Sequence, residues 1–102
     1  MSKNFKVETF AGVGIVEQEL YEVPNNVTAL LTGLNVANVS VDPITVDVKI
    51  ADVHIVKNAA IPAGSALILI ETDFRVIEGQ TVTVAASAAS AADVLLTITE
   101  EL

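Results

Sequence analysis

The chain has 102 residues, no Cys, thirteen acidic residues against five basic ones for a net charge of −8, and a hydrophobic share of 52%. That length suits one small domain, while the charge repels phosphate backbones and anionic membranes and so excludes nucleic-acid binding as a first reading. Absence of Cys removes disulfide scaffolds, thiolate metal sites and cysteine nucleophiles, and no apolar run approaches the roughly 18 residues of a membrane helix.

Taken in chain order, the pattern is that of strands. Residues 3 to 10 are expected to form a strand or an arm, with Phe5 and Phe10 on opposite faces. Gly12-Val13-Gly14 marks a turn, and Glu17, Glu19 and Glu22 then place acid along a segment where it serves solubility and blunts an edge. Pro24-Asn25-Asn26 is the next turn, followed by the apolar run from Leu30 to Val36. After Asp42-Pro43 comes the clearest alternation, in which Ile44, Val46, Val48 and Ile50 point one way and Thr45, Asp47 and Lys49 the other.

Further turn signals stand at Lys57-Asn58, Pro62-Ala63-Gly64 and Glu78-Gly79-Gln80, and further strand-like alternation runs from Thr81 to Val84 and from Val94 to Thr99. Between those last two, the alanine-rich stretch from Ala85 to Asp93 reads as a small-residue connection between antiparallel strands, with room for one helical turn, whose small side chains let backbones approach. Val23-Pro24 and Ile61-Pro62 each precede an apolar strand and read as two equivalent corners. The fold expected is an all-β antiparallel sandwich, immunoglobulin-like or jelly-roll-like, of about seven or eight short strands. It occupies a single domain over 1–102, with 1–10 as its N-terminal strand or arm.

Chemistry is sparse. The one histidine, His54, lies two residues from Asp52 and so shares its side of a strand if that strand continues, but no serine sits in a nucleophile elbow to complete a hydrolytic set. Asp42, Asp47, Asp52, Asp73 and Asp93 are scattered without a calcium-loop spacing, and Glu100-Glu101 reads as a solvated acidic end. Four aromatics, Phe5, Phe10, Tyr21 and Phe74, leave little for sugar stacking, and Gly12-Val13-Gly14 lacks the remaining glycine and helix of a phosphate loop. The expectation is a non-enzyme with no catalytic, cofactor-binding or metal residues.

Several runs carry a resemblance: Tyr21-Glu22-Val23-Pro24-Asn25-Asn26, Gly33-Leu34-Asn35-Val36-Ala37-Asn38, Ile44-Thr45-Val46-Asp47-Val48, the stretch from Val56 to Ser65, and Ala91-Ala92-Asp93-Val94. Over most of the chain after about residue 20, they look like small virion structural proteins of tailed bacteriophages, notably those of marine and cyanobacterial hosts. The resemblance implies a non-enzymatic β-sandwich subunit, made in the host cytoplasm and added to the particle. Its partners would be the major capsid protein, or neck and tail proteins.

Acidity favours the outer surface of the particle, since packaged DNA would repel a subunit of charge −8. A capsid-decorating, cement-type homo-oligomer is therefore the first expectation, and a neck, tail or fibre-attachment component the second. A small adhesion or carbohydrate-binding module is the alternative of another class. Candidate interface residues are Phe5 and Phe10, one of which the core can leave for a partner, and Ala86, Ala88, Ala89 and Ala91, which offer a flat small-residue surface.

Overall fold

The computed structural model describes residues 3–68 and 74–101. Among them the chain forms nine strands and no helix: β1 (Lys3–Val13), β2 (Gln18–Glu22), β3 (Thr28–Asn38), β4 (Ile44–Ile50), β5 (Val53–Ile61), β6 (Ala66–Ile68), β7 (Phe74–Ile77), β8 (Thr81–Ala86) and β9 (Ala92–Glu101). All pair antiparallel. One sheet runs β1-β9-β3, with β6 and β7 end to end along the far edge of β3, and the other runs β2-β8-β4-β5. The all-β class is as expected. The count rises to nine because that far edge is shared by two short strands; Asp73 and the rest of 69–73, between them, lie outside the described residues.

The two faces of each strand follow from the period of two. In β9 the side chains of Ala92, Val94, Leu96, Ile98 and Glu100 are buried in strict alternation. In β3 the parity changes midway: Ala29 and Leu31 are buried, then Leu34, Val36 and Asn38. The ladder shows why, since Leu31 pairs with Ile98 and Gly33 with Thr97, leaving Thr32 as the extra residue of a bulge. The bulge thus keeps Leu31 and Leu34, which differ in parity, on one buried face.

Leu31, Leu34, Val36, Leu96 and Ile98 from one sheet meet Val46, Val48, Val82, Val84 and Ile61 from the other, all fully buried. Burial of an aliphatic side chain contributes about 1.5–3 kcal/mol, so this layer is what holds the sheets together. Val23-Pro24 and Ile61-Pro62 both carry the chain from the four-stranded sheet to the other, into β3 and β6 respectively. They are equivalent corners in that sense, with Asn26 (φ 64) and Gly64 (φ 75) taking the left-handed conformation each turn needs.

Three local expectations are corrected. Gly12 and Val13 do not turn but continue β1 past a bulge, Val13 pairing with Ala92. Lys57-Asn58 is not a turn but a bulge inside β5: Val56 pairs with Val48 and Ala59 with Val46, and Asn58 (φ 53) donates its N–H to Asp47 Oδ1 at 2.7 Å. The reversal falls instead at Ala51-Asp52 (φ 52 and 63), a two-residue hairpin between Ile50 and Val53. The connection from β8 to β9 does not join neighbours in one sheet; it crosses from one sheet to the other, without a helical turn. Small residues permit the crossing, as Ala86 N–H donates to the Gly14 carbonyl (2.9 Å), Ala91 N–H to that of Val13 (3.1 Å), and Val39 N–H to that of Ala91 (2.9 Å).

Candidate assembly surface

The outward-facing sides of the two sheets differ in chemistry. On the five-stranded sheet, Phe5 (79% exposed), Val7 (62%), Leu95 (41%) and Ile68 (68%) stand outward, with Thr9, Thr97, Asn35 and Ala37 among them by cross-strand register. The charged side chains described on this face are Lys3 and Arg75 against Asp93 and Glu101, which sum to zero. Lys3 Nζ lies 3.7 Å from Glu101 Oε1, and the Gly12 N–H donates to Asp93 Oδ1 at 2.9 Å. A shallow hollow of about 270 Å³ opens at the Phe10 end, lined by Thr9, Phe10, Ala11, Asn35, Ala37, Asp93, Val94 and Leu95.

The other sheet is polar outside. Asp47, Lys49, His54 and Thr83 line a smaller hollow with Glu17 above them, and Glu19 and Glu22 stand on the neighbouring strand. The Thr83 hydroxyl, with the Lys49 ammonium 3.4 Å away and the His54 imidazole, holds the exposed Glu17 carboxyl below its ordinary 4.5. Thus Glu17, Glu19, Glu22 and Asp47 outnumber Lys49 and Lys57 in this half of the molecule, and among the described residues the excess acid lies off the apolar face.

Of the residues singled out from sequence, Phe5 lies open on the apolar face, and Phe10, on the opposite side of β1, is half-buried against the core. Ala88 is half-buried and Ala89 exposed, whereas Ala86 and Ala91 are buried at the crossing between sheets, so the alanine stretch is not a flat outer surface. The reason is its topology: a connection that passes from one sheet to the other takes its ends through the core. Asp52 occupies the hairpin turn, so it does not share a strand face with His54, which sits opposite Lys49. Among the described residues no group of three or more His, Asp or Glu is placed to hold a metal ion.

Two polar residues with structural roles escaped the sequence reading. Glu100, expected from sequence at a solvated end, is only 5% exposed; the Tyr21 hydroxyl from the opposite sheet donates to its Oε2, and Lys6 Nζ lies 3.6 Å from the same oxygen. The unbroken parity of Val94, Leu96 and Ile98 is the signal that would have found it. Burial, then the bond to Glu100, pushes the Tyr21 phenol well above its ordinary value. Asn38 is the other: its amide donates to the carbonyls of Asp42 (2.8 Å) and Ile61 (3.0 Å), and its Oδ1 accepts from Ser40 N–H and hydroxyl.

Comparison of the chain with protein-family models, with curated proteins and with solved structures finds no match.

Proposed function

We propose that this protein is a non-enzymatic structural subunit of a bacteriophage particle, a capsid-decorating protein that acts by binding other proteins through the apolar face of its five-stranded sheet. The observation that carries the reading is that, among the described residues, the outer face of the five-stranded sheet groups Phe5, Val7, Leu95 and Ile68 with charges that sum to zero, in a chain of net charge −8. Exposed apolar side chains gathered on one sheet face and rimmed by Lys3, Arg75, Asp93 and Glu101 have the composition of a contact surface, an apolar centre with a polar rim. The acidic side suits a position facing solvent and away from packaged DNA. The resemblance of the runs after about residue 20 to small virion proteins points the same way.

The test is a cryo-electron-microscopy reconstruction of the virion that carries this chain. Density of this two-sheet shape on the outside of the shell, apolar sheet inward, is the result expected. A particle lacking the chain, or one holding it only at the neck or tail, overturns the decorating role.

A further inference from the structure

We infer that this protein forms a two-fold homodimer in which the free edges of two β1 strands pair antiparallel about Val7. The inference deepens the assembly reading above by naming one partner, a second copy of this chain. It begins from an open sheet edge. Among the described residues β1 is the outermost strand of its sheet and pairs only with β9 there, and from Lys3 to Phe10 its register is unbroken by any bulge. The segment contains no Pro, so its outward backbone groups form a template for another strand. Phe5 and Val7, both exposed beside that edge, supply apolar surface that pairing would cover.

The partner and register follow from the charges. In an antiparallel pair of equivalent strands that keeps each face on its own side, the two residues facing each other have numbers of the same parity. Centring the pair on Lys6 sets that lysine against its own copy, and centring it on Glu8 does the same for the glutamate. Centring it on Val7 sets Lys6 of each strand opposite Glu8 of the other, twice, with Val7 against Val7 and Phe5 against Thr9 on the outer face. Lys6, whose ammonium also lies 3.6 Å from Glu100, meets an opposite charge across the two-fold only in this register.

Cysteine cross-linking reads both dimer and register, because the natural chain has no Cys. Directly opposed Cα atoms in an antiparallel pair lie about 4.5 or about 5.5 Å apart, within the span of a disulfide. The exposed Val7→Cys should therefore cross-link to its own copy under mild oxidation. Thr9→Cys should not, since its two copies would stand about 13 Å apart, but Thr9→Cys mixed with Phe5→Cys should give the mixed dimer. The unmodified chain should sediment at twice the mass of the monomer. A monomer at every concentration overturns the dimer, and Val7→Cys chains that cross-link no better than Thr9→Cys chains overturn the register. Because both measurements use the isolated chain, their failure is distinct from failure to find the protein on a capsid.

Discussion

A carboxylate buried between two sheets costs several kcal/mol unless it is paired, and Glu100 is paired by Tyr21 from the opposite sheet and Lys6 from the neighbouring strand. Tyr21→Phe removes one donor without changing the ring, so the chain should lose about 1–3 kcal/mol in urea unfolding. The same residue sets an alkaline limit. The folded-state phenol titrates above its ordinary 10.0, so the unfolded chain loses that proton first; the stabilisation is complete below that value and is lost as pH rises through the folded-state value. Stability of the natural protein should fall above about pH 10, and the Tyr21→Phe variant should lack that part of the fall. A variant as stable as the parent, with the same alkaline profile, would sink the assignment. Asn38 works without charge: all its polar atoms are satisfied by the loop that follows it and by the end of β5, so one side chain ties three segments.

Among the elements, what the sequence made legible was the buried face wherever alternation ran unbroken, as in β4 and β9. Bulges were not legible, because an extra residue changes parity without any composition signal; Thr32 and Asn58 are ordinary strand-end or turn residues until their partners are known. Ala51-Asp52 lacks the glycine that usually announces a two-residue hairpin, and so the Asp52 and His54 pairing dissolved. For the candidate surface, alternation was enough to set Phe5 against Phe10, but burial of Ala86 and Ala91 depends on which sheet receives β9, a long-range fact. The crossing itself is testable. A Cβ on Gly14 would lie 3.0 Å from the Ser90 backbone N and 3.3 Å from Ala89 Cα, and backbone cannot rotate aside as a side chain can. Gly14→Ala should therefore cost about 1–3 kcal/mol and lower the melting temperature, with faster proteolysis at 87–90. An unchanged melting temperature would mean that the two segments approach less closely than this.

For the whole molecule, the decisive quantities are its shape and the placement of its charge. It measures 46 × 21 × 21 Å and carries −8, most of it off the face and edge proposed to associate. At about 0.01 M salt the Debye length is about 30 Å, longer than the molecule is thick, so each copy feels the acid on the far side of the other. At about 0.15 M it shrinks to about 8 Å, and only the neutral face and the Lys6 and Glu8 edge remain within reach. Two opposing effects then compete. Salt weakens the exposed Lys6 and Glu8 pairs, but such pairs contribute only about 0–1 kcal/mol each. It also screens a long-range repulsion between two bodies of like net charge, and with a net charge of −8 on each this is the larger effect. Self-association should therefore tighten as salt is raised between those two concentrations, as read by sedimentation equilibrium on the full chain. Looser association at the higher salt would show that ion pairs, and not backbone pairing with apolar contact, hold the copies together.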